Sequence, residues 1–195
     1  MLYKLAEDIS FYLIVNKIID IDDRDIHIYG LELLISTFFT SASILTLGFF
    51  MGEWISAIAY LSVYFFLKSY TGGYHANNYY ECYFYSILVF IVLIIIKDIT
   101  LYNYYPLIGL LSLTFSTVII FKFAPVENKN NLKTKDEIIK NKKIARRRTL
   151  LLNIIIILGY IVRYQLIELW FMLALVELSI AYTILKQNIL KGRDK

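Results

Sequence analysis

Six long, predominantly apolar runs dominate the chain: Leu31–Met51, Trp54–Leu67, Tyr83–Ile96, Tyr105–Phe123, Leu150–Val162 and Leu166–Leu185. Three of them approach the roughly 20 residues that a helix needs to cross hydrocarbon. The other three are shorter and need their flanking tyrosine, serine or glycine residues to complete a crossing. Ahead of the runs, Leu2, Leu5, Ile9 and Leu13 recur at helical spacing. That spacing predicts an amphipathic helix within residues 1–30, lying on the membrane surface or against the bundle. The acidic run Asp20–Asp25 ends it. The pattern therefore predicts an all-α protein: a polytopic membrane helical bundle of about six transmembrane helices plus the N-terminal amphipathic helix, one domain over residues 1–195.

Composition agrees with this pattern. Of the 195 residues, 58% are hydrophobic and only two are proline, whereas a soluble domain is about half apolar. A single cysteine excludes an intramolecular disulfide. Glu7 and Asp8 near the N-terminus, with no small-residue cleavage site after them, argue against a cleavable signal peptide.

Charge sets the expected orientation. From Lys122 to Arg148 ten basic residues face three acids, a local charge of +7 in a chain whose net charge is +4. By the positive-inside rule this basic loop, residues 122–149, is cytoplasmic. Counting crossings outward from it puts both termini and residues 68–82 at the cytoplasmic face, and the four basic residues of the tail KQNILKGRDK agree. The loop can act as a solvated anchor or can attract anionic headgroups or an acidic peptide, at about 1 kcal/mol per basic residue near an anionic surface. Nothing suggests nucleic acid, since no basic domain with interleaved aromatics is present to stack bases.

The stretch KSYTGGYHANNYYECYFYS, residues 68–86, carries the candidate chemistry. His75 and Cys82 are either a thiol–imidazole pair or two ordinary residues at a span end. Gly72 and Gly73 free the backbone just before His75, and irregular backbone at membrane depth needs protein or a water-filled cavity around it. Cys82 falls at the start of a predicted helix, where the dipole and free N–H groups favour a thiolate. On one straight helix, a seven-residue separation would leave the two backbones ~10.5 Å apart, so pairing requires a broken or re-entrant segment across residues 68–82. The intervening Asn77 and Asn78 suit such a turn.

Ionisable residues in the last two spans, Arg163, Glu168 and Glu177, are further candidates by position, with mutual pairing the alternative. His27 reads as a solvated or capping residue. Two histidines and one cysteine fall short of an ordinary zinc set, so no metal and no cofactor are expected.

The block GGYHA followed by a cysteine seven residues after the histidine resembles the signature of the AgrB family, membrane endopeptidases of Gram-positive quorum sensing. The likeness extends to chain length, to roughly six spans, and to a basic loop after an AP dipeptide, here APVENKNN at residues 124–131. It implies a plasma-membrane peptidase that cleaves a small amphipathic precursor of the AgrD type bearing an acidic tail. Cys82 would be the nucleophile and His75 the general base. An acyl-thioester on Cys82 would then be captured by a cysteine or serine of the peptide to close a thiolactone or lactone. Gly72 and Gly73 would shape the site, and the resemblance also suggests a homodimer. In one respect the chain departs from the pattern: Lys68 stands where the family commonly has arginine, so the bidentate fork is lost while the charge remains. Lys68, Asn77 and Glu177 are the candidate substrate or oxyanion contacts, with Asn78 and Glu81 also open as a third catalytic member. The competing class is a non-enzymatic transporter using Glu177 and Arg163, or a peptide-binding scaffold.

Overall fold

The computed structural model describes residues 2–73, 78–126 and 134–193, with side chains placed up to residue 190. It is all-helical, built from α1 (Leu2–Val15), α2 (Arg24–Phe50), α3 (Trp54–Thr71), α4 (Tyr79–Ile99), α5 (Tyr105–Phe123), α6 (Lys135–Val162) and α7 (Ile167–Arg193). Among the described residues, Ile21–Phe50, Tyr79–Ile99, Tyr102–Phe123 and Tyr164–Leu190 are long and apolar enough to cross a membrane. The other two expected crossings are helical but weaker. Trp54–Leu67 lies in the 18-residue α3, whose last turn is the polar Lys68–Thr71. Leu150–Val162 is the apolar half of α6, ~20 Å long at 1.5 Å per residue.

Local sequence sets the helix ends. Pro106 occupies the first turn of α5, where a missing N–H costs nothing. Thr134 and Glu137 form a reciprocal capping box at the start of α6. The basic segment expected as a loop is therefore helical from Lys135 onward. Its inner half is fastened to the bundle by two arginines. Arg146 donates to the Phe121 carbonyl and Arg148 to the Phe66 carbonyl, each at 2.7 Å. The first bond satisfies a carbonyl in the last turn of α5, and the second ties α6 to α3 about one turn before that helix ends. The Arg148 guanidinium also lies 4.1 Å from the Tyr70 ring centroid.

The bundle is organised around α7, which packs on α3, α4, α5 and α6. Phe171, Met172, Val176, Ala181 and Ile184 are wholly buried, as expected of a helix apolar on nearly all sides. The N-terminal helix packs on α2 through Ala6 and Ser10, both fully buried. These small side chains permit close approach, while Leu5 is exposed, as the membrane-surface alternative for this helix allows. A salt bridge from Arg24 to Glu7 holds the two helices together.

At the end of the bundle away from residues 68–82, Lys97 is 4% exposed and donates to Glu53, with Asp98 and Glu168 each 3.9 Å away. Burial pushes the Glu53 carboxyl up, but hydrogen bonds from Lys97 and Ser56 and the Lys97 charge outweigh it and hold the group below its ordinary value. This cluster ties the α2–α3 connection to α4 and α7, and Glu168 belongs to it.

Candidate functional site

The two helices that flank the glycine–histidine stretch are separate. The third helix stops at Thr71 and the fourth starts at Tyr79, with Asn78 extended at φ −129° and ψ 150°. α3 and α4 are therefore not one continuous helix. His75 and Asn77 themselves lie outside the described residues.

Gly72 caps α3 with φ 66°, a left-handed conformation that glycine adopts without a Cβ penalty. It forms a parallel bridge with Val126, and the Val126 N–H donates to the Thr71 carbonyl at 3.0 Å. A Cβ on Gly72 would stand 2.1 Å from the Val126 carbonyl oxygen. Gly73 follows at φ 130°, and a Cβ there would meet Thr183 Oγ1 at 2.6 Å and Lys68 Nζ at 2.7 Å. Each glycine thus permits a specific close approach: Gly72 to the chain leaving α5, and Gly73 to a lysine–threonine pair.

That pair joins α3 to α7. Lys68 Nζ donates to Thr183 Oγ1 at 3.1 Å, while Thr183 donates to the Ile180 carbonyl at 2.8 Å. Lys68 and Thr183 line a recess of about 20 Å³ that also borders Cys82 and Ser86. A space of that size holds about one water-sized oxygen.

Cys82 sits in the first turns of α4, half-buried and with a free thiol. Its N–H already donates to the Asn78 carbonyl at 3.1 Å, so it lies one position beyond the helix's unpaired N–H groups. Ser86, one turn on, donates to the Cys82 carbonyl at 2.9 Å. Glu81 is engaged by the Asn78 amide at 3.2 Å. On its other side Cys82 opens on a groove of about 320 Å³ between α2, α3 and α4, walled by Glu32, Ser36, Tyr64 and Tyr79 among others.

Glu177 lies elsewhere. It is fully buried on α7 and does not line either space around Cys82. With the Asn153 amide nitrogen turned toward it, Glu177 accepts at 2.8 Å, and the Asn153 oxygen sits 2.7 Å from Thr117 Oγ1. The carboxyl is thus supported by α5 and α6. Among the described residues, no group of three or more His, Cys, Asp or Glu side chains is placed to hold a metal.

The structure therefore brings Lys68, Gly73 and Cys82 together with two residues that the motif did not indicate, Thr183 and Ser86. Ser86 was accessible by spacing, since i+4 on a helix shares a face with Cys82. Thr183 carried no sequence signal, because its contact is made across helices. Glu32 did carry one: it is an ionisable residue inside an apolar run.

A family model for accessory gene regulator B, AgrB, matches residues 6–189. The chain belongs to the AgrB family. Two relatives, both named only for likeness to AgrB, come from Clostridium perfringens. That of strain SM101 / Type A is 29% identical over 75% of this chain and 72% of its own length. That of strain 13 / Type A is 30% identical over 67% of this chain and 62% of its own length. No solved structure matches. Membership in the AgrB family implies a membrane protein that takes part in processing an autoinducer peptide, with an AgrD-type precursor as partner.

Proposed function

We propose that this AgrB-family chain is a cysteine endopeptidase that cleaves its precursor peptide through an acyl-thioester and promotes cyclisation of the product. The observation that carries the reading is the setting of the chain's single cysteine, which stands between a groove of about 320 Å³ and a one-oxygen recess floored by Lys68. A groove of that size accepts a short stretch of extended peptide. The recess suits a developing oxyanion, which a preorganised cation stabilises more in the transition state than in the ground state.

In the proposed reaction His75 takes the Cys82 thiol proton as Sγ attacks the scissile carbonyl. The tetrahedral oxyanion enters the recess beside Lys68. On collapse the C–N bond breaks and His75 returns the proton to the leaving amine, which departs with the peptide's acidic tail. A cysteine thiol or serine hydroxyl of the retained segment then attacks the thioester, loses its proton to His75 and releases Cys82. Excluding water from the half-buried groove favours this ring closure over hydrolysis. Gly72 and Gly73 supply the turn that lets Lys68 approach α7. Six crossings, with both termini and the Cys82 groove at the cytoplasmic face, complete the reading, and the +7 charge of residues 122–148 supports that orientation.

The test is co-expression with an AgrD-type precursor peptide, following precursor size and ring closure by mass spectrometry. Cleavage is expected in the parent protein and absent in Cys82→Ala and His75→Ala. Undiminished processing in both variants would overturn the peptidase reading.

A further inference from the structure

Among its described residues, the groove at Cys82 carries one formal charge, and the chemistry above gives it no role. Glu32 interrupts the apolar start of α2, between Leu31 and Leu33, and is half-buried. A carboxylate in such a run is costly unless something compensates it. Its described hydrogen bond is weak for an ionised group: Tyr79 Oη donates from 3.3 Å. Among the described residues no basic side chain forms an ion pair with Glu32. Glu7 by contrast has Arg24, and Glu53 has Lys97.

Its position gives that charge leverage. Among the described residues, those that wall the groove are otherwise uncharged, and two of its hydroxyls are spent on their own helix, Thr40 on the Ser36 carbonyl and Ser41 on the Thr37 carbonyl, each at 2.8 Å. A second, more apolar groove of about 680 Å³ lies between α1, α2 and α4, and it shares Glu32, Ser36, Asn78 and Tyr79 with the first. The Tyr79–Glu32 contact thus spans from α4 to α2 at the boundary of the two spaces. Of the spaces that meet Cys82, the Lys68 recess of about 20 Å³ is too small for a residue. Among the described residues, the space at the sulfur wide enough for a peptide is the groove that Glu32 lines.

Building on the peptidase reading, we propose that Glu32 is the specificity-determining carboxylate of this groove, and that the groove takes an apolar peptide segment carrying a cationic side chain on the acyl side of the scissile bond. The arriving ammonium or guanidinium replaces the long phenol contact with a charge-assisted one. Opposite signs then flank the sulfur, Glu32 on the acyl side and Lys68 at the oxyanion recess. This polarity fixes the direction in which a chain can lie.

Because Cys82 is the chain's single cysteine, covalent labelling reports on the groove directly. The full-length protein in detergent is treated with three acetylated chloromethyl ketones, Xaa-Leu-Phe with Xaa as Lys, Gln or Glu. Rates of Cys82 alkylation are followed by mass spectrometry. The Lys probe is expected to react about tenfold faster than the Glu probe. Glu32→Gln is expected to level the three rates, and Glu32→Lys to invert their order. Tyr79→Phe, which frees the carboxylate from its only described donor, is expected to keep or widen the Lys preference. Iodoacetamide, small and uncharged, controls for folding and is expected to label all variants at the parent rate.

Equal rates for the three probes in the parent protein, or a Lys preference that survives Glu32→Gln, would overturn the assignment. A uniform slowing of all three probes in Glu32→Gln, with unchanged order, would also overturn it and make Glu32 a positioning residue instead. The outcomes separate from the peptidase test: a Lys preference without precursor cleavage leaves the groove and removes the reaction, and cleavage with equal probe rates does the reverse.

Discussion

Lys68 on α3 donates to Thr183 on α7 at 3.1 Å, and Gly73 is packed so closely on both that no side chain fits between them. A cation at the end of an apolar helix is thereby aimed at the recess beside Cys82 instead of at water. If this pair serves the oxyanion, Lys68→Met should lower kcat by about 10²-fold, with a smaller effect on KM. Thr183→Val keeps the volume but removes the acceptor, and should cost about fivefold, in line with one hydrogen bond of ~1 kcal/mol. Steady-state cleavage of the precursor in detergent checks both.

The two glycines should fail differently. Gly72→Ala drives a Cβ to 2.1 Å from a backbone oxygen in a left-handed conformation, which neither chain can yield cheaply. Its expected effect is loss of folded protein, read as a fall in thermal midpoint by fluorescence-detected gel filtration. Gly73→Ala is strained at φ 130° and collides with the side chains of Thr183 and Lys68, but unlike Gly72→Ala it meets no backbone atom among these contacts. Folded protein should accumulate while activity falls at least to the level of Thr183→Val.

Glu177 should matter for stability before activity. Asn153→Ala would leave its carboxyl buried without the amide that now supports it, at a cost of about 1–3 kcal/mol. Glu177→Gln should be milder, and cleavage per mole of folded protein should stay within about twofold of the parent, because Glu177 lines neither space at Cys82. Loss of peptide export on Glu177→Gln, with cleavage intact, would instead support the transporter class.

The Glu53–Lys97 contact predicts an acid-sensitive component of stability. Glu53 lies below its ordinary value of 4.5 in the folded protein. A group with a depressed folded value contributes stability that is present above the unfolded value and is lost as pH falls through the folded one. Thermal midpoints should therefore drop as pH is lowered below about 4.5, and that part of the drop should be missing in Glu53→Gln. The comparison of the two melting profiles from pH 6 to pH 3 is the measurement.

Hydropathy located the helices better than it located their ends, for a physical reason. Apolar runs mark contact with hydrocarbon, whereas helices continue wherever the backbone is capped and the side chains permit. The run Tyr105–Phe123 coincides with α5 because Pro106 sits in its first turn and the chain turns extended at Ala124 just past its end. The run Leu150–Val162 reports only half of α6, because the Thr134–Glu137 capping box starts that helix inside the charged segment. At the site, Gly72 and Gly73 were legible as a break, and the structure gives each a specific neighbour. Thr183 was not legible, since its meeting with Lys68 depends on how α3 crosses α7. Glu32 was legible by the same criterion that drew attention to Glu177, an ionisable side chain within an apolar run.

The bridge between Gly72 and Val126 makes the glycine turn and the chain leaving α5 a single cooperative unit. The Val126 amide, bonded to the Thr71 carbonyl, cannot exchange its proton with solvent unless that unit opens.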